Sequence, residues 1–352
     1  MLKISSKEIR DKFLQFFQTN DHLLIDDSSI IPKNDPTLLF INSGMAPIKK
    51  YFTGEEEPPK GMLCNVQPCI RTIDIEEVGD KHHLTSFQML GSWSINHYFK
   101  EKAISLAFEF LTKHLQIPIE KLYVTVFSGD KSLGLLADEE SITYWKKVGV
   151  PEDHIVKCGM DDNFWGPTSE TGPCGPCTEV FYDTGEGKEY VPGGEFDTKS
   201  RYIEIWNAGV FMQFNKNADG SFSKLNFSSV DTGAGLERLS MVMNGYSCVY
   251  DTDLLCPIKE YIKSLLGEKL TLLDNRDILI ITDHLRTVNL ILSERVKPSN
   301  EGRGYIPRKL IRKCMMIFSK RKINNIDLCD ISKFIIDRYL DIYKYFKINE
   351  EY

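Results

Sequence analysis

The sequence predicts an α+β fold, with a mostly antiparallel sheet flanked by helices and a helical segment after it. Three observations lead there. Short apolar runs broken by Gly, Pro and Asn recur through the first 250 residues. Helices and strands do not alternate as a βαβ series requires. Near residue 250 the patterning changes to helical spacing and keeps it to the end.

The elements follow in order. Residues 5–18 read as an amphipathic helix: Ser5 and Glu8 have capping-box spacing, and Ile9, Phe13, Leu14, Phe16 and Phe17 share a face. Residues 101–115 form a second helical stretch. The runs Leu38–Ile41, Tyr123–Phe127, Val180–Tyr182, Tyr202–Trp206 and Phe211–Phe214 read as strands joined by long loops. Helical patterns then occupy 254–266, 277–294, 304–320 and 330–346. In the second of these, Ile278, Ile281, Leu285, Val288 and Leu292 line one side. The expected organisation is two domains, 1–250 and 251–352.

The chain has 352 residues, 42% of them hydrophobic and 26% charged, which is ample for a packed core. No apolar run approaches the ~18 residues that span a bilayer. The N-terminus enters a helical pattern at once, without a signal peptide, so a cytoplasmic location is expected. Nine cysteines, an odd number, argue for free thiols over a disulfide framework. The net charge of −7 excludes a generic nucleic-acid binder and implies no DNA partner; a polyanion would need a local basic patch.

Five segments can carry chemistry. Asp231-Thr-Gly-Ala-Gly-Leu-Glu-Arg238 sets Gly233 and Gly235 before an apolar helical stretch. That pattern permits close backbone approach to an anionic ligand, with Arg238 one turn into the helix and Asp231 able to pair with an ammonium. Arg71 is followed by His82-His83 and a strand at Phe87–Leu90, a strand–loop–strand hairpin able to hold a nucleotide phosphate. Asp162-Asn-Phe-Trp165 precedes Thr171-Gly-Pro-Cys-Gly-Pro-Cys-Thr-Glu179. Trp165 suits the core and a pocket wall equally. Cys174 and Cys177 have zinc-ligand spacing but no second pair, so a tight structured loop is expected there and no protein-bound zinc. Ile205-Trp206-Asn207 ends a strand in an amide that donates and accepts. Lys297–Tyr305 leads into Arg308, Lys309, Arg312 and Lys313, the densest basic stretch of the chain. Like charges at i, i+4 repel, so a polyanion partner is expected there.

Taken together and in order, these strings resemble those of the alanyl-tRNA synthetases, a class II aminoacyl-tRNA synthetase family, from residue 8 to about 320. Motif 1 is represented by Asn34–Pro47, motif 2 by Cys69–Arg71 through Met89–Ser94 and Tyr98–Lys100, and motif 3 by Val230–Arg238. The resemblance implies a class II synthetase-like antiparallel sheet, with the segment after 250 reading a tRNA acceptor stem. It implies ATP with Mg²⁺ as cofactor, no metal held by the protein alone, and alanine, ATP and tRNA(Ala) as partners in protein biosynthesis. Arg71 would grip the α-phosphate and Arg238 the γ-phosphate, the two catalytic residues. His83, Trp165, Ile205, Trp206, Asn207 and Gly235 would complete the ATP site. Trp165, Asn207, Val210, Asp231 and Gly233 would form the alanine site, with Asp231 on the ammonium. Asn300, Arg303, Arg308 and Arg312 would meet the tRNA.

Departures from the family's pattern accompany the match. Gln88 stands where the family usually has Glu, so a charge is expected to be missing beside the nucleotide. Leu84 sits at the position of the family's ATP-contacting His, and Gly209 looks inserted beside Val210. Ile95-Asn-His97 replaces the usual Phe-Gly-Asp. The chain ends at Tyr352, before the family's editing and C-terminal domains; a fragment and a naturally short protein both fit. Two alternatives therefore stand beside a ligase that charges tRNA. One is an alanine-activating enzyme that loads a carrier protein, and the other is a non-catalytic tRNA-binding paralogue.

Overall fold

The structure is a computed structural model and describes residues 3–33, 38–166, 171–324 and 326–349. The first residues of the motif 1 string, 34–37, lie outside them. Its strands are β1 Leu23–Leu24, β2 Met62–Ile70, β3 Ser86–Ile95, β4 Leu122–Phe127, β5 Ile155–Cys158, β6 Phe164–Trp165, β7 Gly172–Asp183, β8 Tyr202–Lys216 and β9 Phe222–Gly235. They form one sheet in the order β1-β2-β3-β9-β8-β7-β4-β5, with β6 beside β7. Only the β1/β2 and β4/β5 pairs are parallel. The expected α+β architecture with a mostly antiparallel sheet is what the chain adopts.

The helices are α1 Ser6–Thr19, α2 Lys49–Thr53, α3 Lys100–Glu109, α4 Glu139–Val148, α5 Met160–Asn163, α6 Leu236–Met243, α7 Cys256–Leu266, α8 Asn275–Ser293, α9 Tyr305–Lys320, α10 Leu328–Tyr339 and α11 Lys344–Ile348. The capping box of α1 forms as its spacing predicts: the Glu8 N–H donates to Ser5 Oγ at 3.2 Å, and the Ser5 N–H donates to Glu8 Oε2 at 2.9 Å. Phe13 of α1 meets Phe110 edge-on with ring centroids 5.6 Å apart, and Trp206 of β8 lies 5.8 Å from Phe13. This aromatic cluster fastens α1 and the end of α3 to one face of the sheet. Aromatic pairs of that geometry add about 0.5–1.5 kcal/mol each beyond burial.

Four expectations need correction. Leu38–Ile41 is not a strand. Phe40 and Ile41 are buried there, and Ile41 exchanges single backbone hydrogen bonds with Ile30 and Ile70, so the run is apolar because it crosses the core. Tyr202–Trp206 and Phe211–Phe214 belong to one long strand, β8. Cys174 and Cys177 lie within β7 and not in a loop. The pattern at 330–346 divides into α10 and α11, with Tyr343 turned inward between them.

The helices after residue 250 pack on the same hydrophobic core as the sheet, which runs from Ile9 to Phe346. Helix α8 is central to this packing. Its apolar side is buried as the spacing predicts, and so are its polar residues Thr282, Asp283, His284, Arg286, Thr287 and Asn289. No helix among the described residues is long and apolar enough to cross a membrane.

Candidate active site

A cleft with a cavity volume of about 270 Å³ opens on the sheet face opposite α1. Its floor comes from four adjacent strands. Met89 of β3 lies opposite Gly235 of β9, Asn207 of β8 opposite Gly233, Val210 opposite Asp231, and Glu179 of β7 opposite Asn207. Between Asn207 and Val210, β8 advances three residues while β9 advances two, from Gly233 to Asp231. This β-bulge lets Asn207 and Val210 face the cleft together. Regular alternation would turn Val210 away. The residue that looked inserted, Gly209, is part of that bulge.

Two glycines keep the floor open. A Cβ on Gly233 would stand 2.8 Å from Met89 Sδ, and one on Gly91 would stand 2.3 Å from the Trp93 ring. The bare backbone at Gly91 lets the Trp93 indole lie flat and donate from Nε1 to Asp231 Oδ1 at 2.7 Å. Asp231 thus has one oxygen fixed at the cleft floor. Burial pushes its carboxyl up to about 6, against the opposing hydrogen bond from Trp93.

The cleft walls carry opposite charges. Arg71 follows β2, donates from Nε to the Asn42 carbonyl at 3.2 Å and stacks its guanidinium over Phe87 at 5.0 Å. Arg238, one turn into α6, donates to the Glu204 carbonyl at 3.0 Å and to Glu204 Oε2 at 3.3 Å. Asn207 donates to Glu179 Oε1 at 3.2 Å. Burial, with Glu204 nearby, raises the Glu179 carboxyl well above the usual carboxylate range. His83 Nδ1 meets Asp80 Oδ2 at 2.5 Å, and that bond raises the imidazole's proton affinity. Burial pushes the neighbouring His82 down to about 4.

Arg71, His83, Trp165, Ile205, Asn207, Val210, Asp231, Gly233, Gly235 and Arg238 all line this one cleft, although they come from separate strings of the sequence. Trp206 does not. Its indole lies on the opposite face of β8, in the aromatic cluster under α1, because neighbouring strand residues point to opposite faces. Trp165 forms a cleft wall, which resolves its two readings. Leu84 and His83 both line the cleft. Gln88 corrects another expectation. It is buried between Phe87 and Met89, which face the cleft, and is not among the lining residues. Its backbone N–H donates to Glu237 Oε2 at 3.0 Å.

Sequence reasoning missed Glu204, Glu237, Asp74 and His82 as lining residues. Glu204 and Glu237 adjoin Ile205 and Arg238 in the chain, so adjacency to those residues was the available signal. Glu237 is paired with Arg286 of α8, Nη1 to Oε1 at 3.0 Å, and burial raises its carboxyl against that pairing.

Asn300, Arg308 and Arg312 line a second groove, of about 420 Å³, with His284 and Lys313. Arg303 is turned away from it and donates from Nε to the Leu39 carbonyl at 2.7 Å. Cys174 and Cys177 are buried free thiols. Among the described residues no three His, Cys, Asp or Glu side chains are grouped for a metal ion.

The chain matches the family described as tRNA synthetases class II (A) over residues 8–352. Among curated proteins it is 45% identical over 322 residues to an alanine–tRNA ligase of Acetivibrio thermocellus, covering 89% of this chain and 35% of that protein. It is 41% identical over 348 residues to an alanine–tRNA ligase of Treponema pallidum, covering 97% of this chain and 57% of that protein. The chain therefore spans between about a third and three fifths of the length of these relatives. A solved structure of apo S. aureus histidyl-tRNA synthetase is similar at a lower level, with 12% identity, 74% of each chain covered and a TM-score of 0.41. The match along nearly the whole chain and the identity to these relatives have one reading: the chain belongs to the class II (A) tRNA synthetases.

Proposed function

We propose that the protein activates alanine with ATP, forming alanyl-adenylate and pyrophosphate, and transfers alanine to the 3′ end of tRNA(Ala). The observation that carries this reading is the floor at Gly233. There an anchored carboxylate, Asp231, lies on one side and two phosphate-type cations, Arg71 and Arg238, line the same cleft. The name of its relatives, alanine–tRNA ligase, agrees with it.

The chain's residues act by position and charge. Asp231 holds the alanine ammonium, and Val210 and Trp165 bound the space beside its methyl group. The alanine carboxylate then attacks the α-phosphorus in line, and pyrophosphate leaves. Arg71 neutralises charge at the α-phosphate and Arg238 at the γ-phosphate end. No protein nucleophile is required. The acid pair Glu179 and Glu204 would hold a hard divalent cation, since such ions take oxygen ligands. Bound there with ATP, Mg²⁺ would neutralise phosphate charge.

The groove lined by Asn300, Arg308 and Arg312 receives the tRNA acceptor stem in this reading, and residues 251–352 act as the tRNA-reading domain. The cytosol is the proposed location. Pyrophosphate exchange is the direct test: alanine should drive label from pyrophosphate into ATP, and Asp231→Ala should abolish it. Absence of exchange with alanine, glycine and serine alike would sink the reading. Transfer of labelled alanine to tRNA tests the second half separately.

A further inference from the structure

Helix α8 lies behind the cleft, where its Arg286 pairs with the lining residue Glu237. Three of its buried polar residues, Asp283, Arg286 and Thr287, bond to the residues where β3 begins. The Asp283 carboxylate accepts two hydrogen bonds from Thr85, one from its backbone N–H to Oδ1 at 2.8 Å and one from its hydroxyl to Oδ2 at 2.5 Å. One helical turn on, Arg286 Nη2 donates to the Ser86 carbonyl, and Thr287 Oγ1 meets Ser86 Oγ at 2.8 Å. Residues 283, 286 and 287 share one helix face, so a single turn of α8 holds two consecutive residues of the hairpin.

Thr85 matters because of its other partner. Its carbonyl accepts the backbone N–H of Arg71 at 2.9 Å, closing the hairpin where β2 ends and β3 begins. The Arg71 guanidinium then stacks on Phe87, two residues after Thr85. Two of the three contacts that hold Arg71, the third being the Asn42 carbonyl, are thus carried by a strand start that Asp283 fixes. The Asp283 side chain is fully buried, and its Oδ2 is also 3.0 Å from His284 Nδ1. A buried carboxylate with three hydrogen bonds is costly to create and keeps its geometry once made.

We propose that Asp283 is a positioning residue for Arg71, acting through Thr85: it holds the hairpin closed so that the guanidinium meets the nucleotide's phosphate already aimed. This rests on the reading of Arg71 as a phosphate ligand. Preorganisation of this kind acts on the ligand that Arg71 touches and on no other. A carboxylate that only stabilised the fold would affect ATP and alanine alike.

The test uses the full chain and two measurements, equilibrium binding of Mg-ATP and the KM values for ATP and alanine in pyrophosphate exchange. Asp283→Asn risks misfolding, so Thr85→Val and Thr85→Ser are the informative pair. Valine removes the hydroxyl but keeps shape and backbone N–H, while serine keeps the hydroxyl. We expect Thr85→Val to weaken Mg-ATP binding by about tenfold or more, the scale of one lost hydrogen bond to a charged group. It should raise the KM for ATP in parallel and leave the KM for alanine within about twofold of the parent, a margin set by that same scale. Thr85→Ser should stay near the parent on all three. An equal rise in both KM values, or serine as damaging as valine, overturns the proposal. Arg71→Ala serves as the control. If it weakens ATP binding and Thr85→Val does not, the positioning role fails alone; if Arg71→Ala has no effect on ATP, the phosphate role of Arg71 fails.

Discussion

Asp231 is costly to the fold and, in the proposed function, holds the ammonium at the site. Its carboxyl is raised from 3.8 to about 6 by burial, so between those values the native chain binds more protons than the unfolded one. The contribution of Asp231 to stability therefore falls as pH rises from about 4 to about 6, and levels off above. Asp231→Asn keeps the acceptor for Trp93 and removes the charge. Thermal melts from pH 4.5 to 7.5 should show the parent losing ground to this variant as pH rises, with the variant at least as stable at pH 7.5. In exchange assays the parent's KM for alanine should climb as pH drops below about 6, where the carboxylate that meets the ammonium is protonated. A pH-independent KM over that range would mean that the ammonium is held elsewhere. Residues such as Asp231, Arg71 and Arg238 were legible because each sits in an ordered string of small and charged residues. Glu204 and Glu237 were marked only by adjacency to Ile205 and Arg238, because a carboxylate in a strand or helix carries no mark of its own that it faces a cleft, and His82, in the loop before β3, was marked only by its neighbour His83.

At the level of elements, β8 is where sequence and structure part most usefully. Two apolar runs separated by Asn207–Val210 suggest two strands with a break between them. The chain instead runs straight through with one extra residue, because the bulge absorbs Ala208 and Gly209 without ending the ladder on either side. Hydrophobic alternation detects the phase change there but not whether the strand survives it. Gly209 is held tightly: a Cβ on it would come within 2.5 Å of the Phe211 ring. Gly209→Ala should cost about 1–3 kcal/mol, the usual range for overpacking, readable as a lower urea midpoint. Because the displaced residues flank Asn207 and Val210, its KM for alanine should rise more than its KM for ATP. Equal shifts would show that the bulge serves the fold and not the amino-acid pocket.

Across the whole molecule, α8 stands between the cleft and the basic groove. Its Arg286 pairs with Glu237 of the cleft, and its His284 lines the groove with Arg308, Arg312 and Lys313. The sequence showed only half of this helix. Its apolar row follows the helical period, whereas its other side is polar, yet is buried because Asp283, Arg286 and Asn289 find partners at the start of β3, on α6 and on α10. Pattern reading counts apolar residues and cannot see such pairing. The separation of cleft and groove makes a prediction that only the whole protein can test. Arg308→Glu with Arg312→Glu reverses charge in the groove and leaves the cleft untouched. Alanine-dependent pyrophosphate exchange should stay within about twofold of the parent, while transfer of alanine to tRNA should fall about tenfold or more at ~0.1 M salt, because lost phosphate contacts weaken binding steeply. The parent's transfer should decline with added salt, and the variant's should decline with a shallower slope, since fewer counterions are released on binding. Matching losses of exchange and transfer would place the basic helix in the service of the cleft or the core, and leave the acceptor stem without this docking surface.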